Sequence, residues 1–101
     1  MALTSEKIKA FKSIGHKLKP VVTISENGLS EGVKKELERA LNDHELIKIK
    51  ITCEDRTEKK ELIKVLCQTC QCQPIQAIGN IVLVYRASKE PNPKLSNLLR
   101  A

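Results

Sequence analysis

Glu45-Leu46-Ile47-Lys48-Ile49-Lys50-Ile51-Thr52-Cys53 is the stretch on which the fold turns. Ile47, Ile49 and Ile51 alternate with Lys48, Lys50 and Thr52. That period of two belongs to a strand with one apolar and one polar face. The polar face carries two lysines separated by two residues' rise, roughly 7 Å.

Working outward toward the N-terminus, Leu29, Val33, Leu37 and Leu41 recur every four residues. They predict a helix with one buried stripe, capped by Ser30, with Glu31 in its first turn and its end near Asn42. Lys34, Lys35 and Arg39 share its exposed part with Glu36 and Glu38. Before it lies the turn Ser25-Glu26-Asn27-Gly28, whose Asn and Gly tolerate positive φ. The turn follows a short strand, Val21 to Ile24, that Pro20 can only begin. Residues 4–14 read as a first helix, capped by Thr4 or Ser5, with Ile8, Phe11 and Ile14 on one face and Gly15 as its stop.

Toward the C-terminus, Asp55 with Glu58 three residues on fits a capping box and opens a third helix that runs to about Cys70. Gln73 to Ile78 reads as a strand, Gly79-Asn80 as a two-residue hairpin turn, and Ile81 to Tyr85 as the last strand. The unbroken apolarity of Ile81–Tyr85 implies a central position covered on both faces. After Arg86, two prolines and mixed polar residues predict a mobile tail over residues 87–101, with Leu95, Leu98 and Leu99 available to dock.

The class is therefore α/β: a single compact domain, residues 1–86, in the order α-β-α-β-α-β-β. Two strand–helix–strand units predict parallel neighbours with right-handed crossovers, and the final hairpin adds an antiparallel pair. The expectation is a mixed four-stranded sheet with helices packed on it.

At 101 residues, 41% hydrophobic and 30% charged, the chain has the size and balance of one soluble domain. Eighteen lysines and arginines against twelve acids give +6, which favours a polyanionic partner, most simply nucleic acid. The charge is uneven. Residues 1–24 hold five lysines and one acid, residues 25–56 are net negative, and residues 57–101 hold seven basic and three acidic residues. With one phenylalanine, one tyrosine and no tryptophan, a sheet that stacks bases on several aromatics is excluded. No apolar run approaches the ~20 residues of a membrane span, and no apolar stretch follows the N-terminal lysines, so a cytoplasmic protein is expected.

Chemistry finds little footing. There is no phosphate-binding glycine loop and no nucleophile elbow, so no catalytic residue, cofactor or small-molecule substrate is assigned. His44, between Asp43 and Glu45, reads as the end of the second helix, where an imidazolium suits the dipole. Cys53, Cys67, Cys70 and Cys72 raise a zinc or redox reading. It lacks a second short ligand pair, and Cys67 and Cys70 share a helix with the apolar Leu62, Ile63 and Leu66; no metal ligand is assigned. Nothing resembles a heptad or a large apolar patch, so a monomer is expected.

For nucleic acid, the strand–turn–helix at residues 25–28 offers unpaired helix amides at the positive end of a dipole. Lys17 and Lys19 flank the entry to the first strand, and Lys48 and Lys50 share a strand face.

These residues also carry a resemblance. Leu18-Lys19-Pro20-Val21-Val22, Asn27-Gly28-Leu29-Ser30-Glu31-Gly32-Val33, His44-Glu45-Leu46-Ile47-Lys48-Ile49-Lys50, and Ile78-Gly79 followed by Leu83-Val84-Tyr85-Arg86 together resemble the bacterial YhbY-like family. These are stand-alone CRM (chloroplast RNA splicing and ribosome maturation) domains, and the resemblance runs to about Arg86. It implies a compact α/β fold like the C-terminal domain of translation initiation factor three. It also implies a non-catalytic RNA-binding protein that associates with precursors of the large ribosomal subunit. The family's Gly-x-x-Gly loop falls on Ser25, Glu26, Asn27 and Gly28. Here Ser25 replaces the first glycine, and Glu26 adds a charge that costs on the order of 1 kcal/mol at about 4 Å from a phosphate. More of the binding is therefore expected of Lys48, Lys50, Arg86 and the lysines flanking the first strand, with Lys34 and Lys35 behind the loop. The competing reading is a module that docks on ribosomal proteins, its lysines only solubilising it.

Overall fold

The computed structural model describes residues 4–25, 28–89, 94 and 96–98. Glu26 and Asn27 of the turn, and Pro91, Pro93, Leu95 and Leu99 of the C-terminal stretch, lie outside the described residues.

The element order is the one expected: α1 (Ser5–His16), β1 (Pro20–Ile24), α2 (Glu31–His44), β2 (Leu46–Ile51), α3 (Arg56–Cys70), β3 (Gln73–Ile78) and β4 (Ile81–Tyr85). Each helix starts on a side-chain cap that supplies an acceptor to otherwise orphaned amides. Thr4 accepts from the Lys7 amide, Ser30 from that of Val33, and Asp55 from those of Thr57 and Glu58.

The sheet order is β1-β2-β4-β3. β1 and β2 pair in parallel, β2 and β4 antiparallel, and β3 and β4 antiparallel through the Gly79-Asn80 turn. The expected parallel neighbours occur only at β1 and β2. β2 and β3 run the same way, but β4 lies between them. The reason is burial. Val82, Leu83 and Val84 are at most 3% exposed, so β4 takes the inner position, while β3, with Pro74 in its run, takes the edge.

One face of the sheet carries the larger core. Val22, Ile24, Ile47, Ile49, Ile51, Val82 and Val84 pack against Leu37 and Leu41 of α2 and Leu66 and Cys70 of α3. The other face carries a smaller cluster in which Phe11 of α1 covers Leu46 and Leu83, with Ile14, Leu18, Ile75, Tyr85 and Leu98 around them. The rings of Phe11 and Tyr85 stand 4.7 Å apart, centroid to centroid, tilted by 40°.

Gly15 does not stop α1. The helix runs one residue further, and Gly15 is buried in its last turn. A Cβ there would lie 2.8 Å from Leu83 Cδ1 and closer still to Cδ2, so the missing side chain is what brings α1 down onto β4.

The alternation read from Glu45 also shifts at its start. Glu45 caps α2, with φ 63° and ψ −51°, and is only 6% exposed. Its carboxylate accepts from the Ser96 hydroxyl at 2.8 Å and the Ser88 amide at 3.0 Å, and its carbonyl accepts from the Arg86 amide at 2.9 Å. Asn97 adds a bond from its amide to the His44 carbonyl and one from its side-chain nitrogen to the Leu46 carbonyl. Ser88, Ser96, Asn97 and Leu98 are thus attached to the body of the domain.

Candidate nucleic-acid interface

The lysines of β2 define the site. Leu46, Lys48 and Lys50 point to the face that α1 covers, because side chains alternate along a strand. α1 covers the Leu46 end of that face, where Phe11 packs with Leu46, Leu83 and Tyr85 and Ile75 lies at the margin. Lys48 and Lys50 therefore stand on the uncovered half of that face, Lys48 partly exposed and Lys50 exposed. Register sets their neighbours. Lys48 lies between Pro20 of β1 and Leu83 of β4, and Lys50 between Thr23 and Ile81. The next strand out places Gln76 beside Leu83 and Ile78 beside Ile81. His16, the last residue of α1, closes one side of a cleft of about 190 Å³ shared with Lys48, Gln76, Ile78, Ile81 and Leu83.

Among the described residues, neither Lys48 nor Lys50 has a carboxylate within 4.0 Å, and the same holds for Lys17 and Lys19. Lys17 and Lys19 are exposed in the connection between α1 and β1, and Lys19 immediately precedes the residue that pairs with Lys48. Lys48 and Lys50 share one face of the sheet, and Lys17 and Lys19 lie in the connection that leads into the neighbouring strand.

The turn at residues 25–28 has a different setting. The Gly28 amide donates to the Ser25 carbonyl at 2.9 Å, and Gly28 has φ +72°. Nothing would touch a Cβ there, so glycine is required for its backbone angle rather than for space. Two bonds from Thr52 to the Ile24 carbonyl, 2.9 Å from its amide and 3.3 Å from its hydroxyl, hold the base of the turn to β2. Ser25 and Gly28 open onto a cleft of about 480 Å³ whose other wall includes Glu54, Asp55 and Glu58. Acidic walls disfavour a phosphate, so this side of the turn is electrostatically the poorer half. On α2, Lys34 is drawn toward Glu31 at 3.6 Å, while Lys35 is exposed.

Arg86 is held on the opposite side of the sheet from the β2 lysines. Its guanidinium donates to the Glu38 carboxylate at 2.8 Å, the Cys70 carbonyl at 2.9 Å, Asn42 Oδ1 at 2.9 Å and the Glu38 carbonyl at 3.3 Å. With an 18% exposed side chain, it ties β4 to α2 and α3 rather than presenting a free cation.

Two features of this surface emerge only in the folded chain. His16 carries no local signal, and the one residue by which α1 continues past Gly15 brings it to the cleft. Ile78 is 66% exposed at the end of the mixed strand β3, and its placement opposite Ile81 across the hairpin is the available signal.

The cysteines lie elsewhere. Cys53, Cys70 and Cys72 are buried, Cys67 is half-buried, and all four thiols are free. The hydrogen bond between the Cys67 and Cys72 side chains pulls Cys67 below the usual thiol range and pushes Cys72 above it, with burial adding to the latter. Among the described residues, no group of three His, Cys, Asp or Glu side chains is placed to hold a metal ion, and no helix is long and apolar enough to cross a membrane.

Comparison with known proteins agrees with this architecture. A probable RNA-binding protein of Pseudomonas aeruginosa is 54% identical over 100 residues, covering 99% of this chain and 96% of that protein. An RNA-binding protein of Haemophilus influenzae is 43% identical over 96 residues, covering 94% and 97%. The solution structure of a hypothetical protein from Staphylococcus aureus, a candidate RNA-binding protein, superposes with a TM-score of 0.76 at 30% identity, over 88% of this chain and 93% of that one. Residues 3–86 match the CRS1/YhbY (CRM) domain, from the N-terminal helix to the arginine that closes β4, and the chain belongs to that family.

Proposed function

We propose that this chain is a non-catalytic, monomeric RNA-binding protein of the cytoplasm. It associates with ribosomal RNA in precursors of the large ribosomal subunit and assists their assembly. The observation that carries this reading is the open sheet face on which Lys48 and Lys50 stand with no ion-pair partner among the described residues, with Lys17 and Lys19 exposed in the connection to the neighbouring strand. An RNA backbone supplies the phosphates that such a face lacks, and each contact releases condensed counterions. The family and the RNA-binding relatives support the RNA as partner. The acidic cleft beside the turn supports a smaller share for Ser25, Glu26, Asn27 and Gly28 than for the lysines.

The test is sedimentation of a cell lysate on sucrose gradients at low and moderate salt. The protein is expected to co-migrate with precursor large-subunit particles and to leave them as salt rises. Each phosphate contact contributes about 0.7–0.9 to the slope of log affinity against log salt. Lys48→Glu with Lys50→Glu should move the protein to the top fractions. A wild-type protein found only at the top at both salts overturns the assembly reading. A double variant that stays with the particles transfers the function to protein docking.

A further inference from the structure

The open sheet face is not uniformly basic. Across the strands it changes character within two strand spacings, about 10 Å: lysines on β2, then Ile81 and Leu83 on β4, then Ile78 and Gln76 on β3. Ile78 exposes 66% of its surface there, beside a shallow cleft of about 190 Å³. That volume is below the range of small-molecule pockets, so a bound cofactor does not fit the feature.

From this juxtaposition we propose that the uncovered half of the sheet takes an unpaired RNA segment, its phosphates along Lys48 and Lys50 and a base laid over Ile81 and Ile78. The proposal rests on the RNA-binding reading and narrows it to single-stranded RNA. A duplex offers phosphates and 2′-hydroxyls across a shallow groove but keeps its base faces stacked, so an exposed isoleucine gains nothing from it. An unpaired nucleotide has an apolar base face to bury and a phosphate one strand spacing away, which is the order in which the sheet presents its side chains. Lys48 and Lys50 repeat at roughly 7 Å along β2, a spacing suited to successive phosphates of an extended strand. His16 and Gln76 line the same cleft and supply hydrogen-bonding groups that can meet a base edge. The low aromatic content is no obstacle, because the platform is aliphatic. A protein occupant is the weaker choice, since two lysines with no ion-pair partner among the described residues border the apolar strip.

The experiment uses the full chain and two fluorescent probes, an unstructured oligouridine and an RNA duplex of equal charge, with binding followed by anisotropy across a salt series. Ile78→Thr and Ile81→Thr keep β-branched residues on the strands. Each should weaken oligouridine binding about five- to tenfold, within the range of a lost base contact. The salt slope should not change, since no phosphate contact is lost, and duplex affinity should be unaffected. Lys48→Gln with Lys50→Gln should lower both affinity and slope. Should a threonine variant prove unstable, Ile78→Tyr provides the opposite change: a larger platform that tightens oligouridine binding and leaves the duplex alone. Unchanged oligouridine affinity in the isoleucine variants, an equal loss on both probes, or a wild-type preference for duplex overturns the single-strand proposal while leaving RNA binding intact. Failure of the wild-type chain to bind either probe overturns both readings.

Discussion

Glu45 is where three separate parts of the chain meet. Its backbone sits at φ 63°, ψ −51°, a region a non-glycine residue enters at a cost of order 1–3 kcal/mol. The geometry is held by what its carboxylate and carbonyl accept from Ser88, Ser96 and Arg86. Removing a buried carboxylate that satisfies a hydroxyl and an amide takes an acceptor away from both donors. Glu45→Ala is expected to lower unfolding stability by about 2 kcal/mol in a urea titration. Glu45→Gln, which keeps one oxygen acceptor, should lose less. The sequence contained a cue to this residue. The alternation that places Ile47, Ile49 and Ile51 on the apolar face also places Glu45 there, and a charge in that phase signals either a partner or a strand that starts later. Both are true here. Arg86 is the reverse case. Its charge was legible, but its four acceptors come from α2 and α3, and no local pattern reveals that a cation is already satisfied by residues up to 48 positions away.

At the scale of elements, helices and strands followed from periodicity and caps because those are local signals. The sheet order did not, because it is settled by competition. The parallel-neighbour rule would set β3 beside β2, but the double-sided burial of β4 and the tight Gly79-Asn80 turn together place β4 between them. The same limit applies to Gly15, which reads locally as a helix stop. Its role is a contact with Leu83, 68 residues away in sequence. In an exposed helix, Gly→Ala stabilises by up to about 1 kcal/mol. Here the sign reverses, because the added methyl drives into a leucine that is only 3% exposed. Gly15→Ala should destabilise the fold by about 1–3 kcal/mol, the usual range for overpacking. Leu83→Val removes both Cδ atoms that the methyl would strike. The double variant should therefore lose less stability than the two single variants summed, a coupling that a thermal or urea double-mutant cycle reads directly. α1 also sets the extent of the candidate site: its close approach at Gly15 covers Leu46 and Leu83, and its end at His16 leaves Lys48, Lys50 and Ile81 open.

For the molecule as a whole, the two faces of the sheet do different things. The face under α2 and α3 holds most of the buried apolar surface, and Arg86 locks it at one end. The other face is half covered, and part of its cover comes from beyond the residues that define the family. The family match ends at residue 86, yet Ser88 and Ser96 satisfy Glu45, Asn97 bonds to His44 and Leu46, and Leu98 joins the Phe11 cluster. These attachments lie at the Leu46 end of β2, and Lys48 and Lys50 lie toward its other end. Stability and the proposed RNA contacts should therefore separate. A chain ending at Arg86 loses the two donors to Glu45, the Asn97 bonds and the Leu98 packing, for an expected destabilisation of about 2–4 kcal/mol. Because Glu45 then has fewer partners left to lose, adding Glu45→Ala to the shortened chain should cost less than it does in the full one. At a temperature where the shortened chain stays folded, its affinity for oligouridine should fall only slightly and its salt slope should remain that of the full chain, since Lys17, Lys19, Lys48 and Lys50 are untouched. A slope reduced by one or more on truncation would place phosphate contacts in the C-terminal stretch, and the basic surface of β2 would then be only part of the interface.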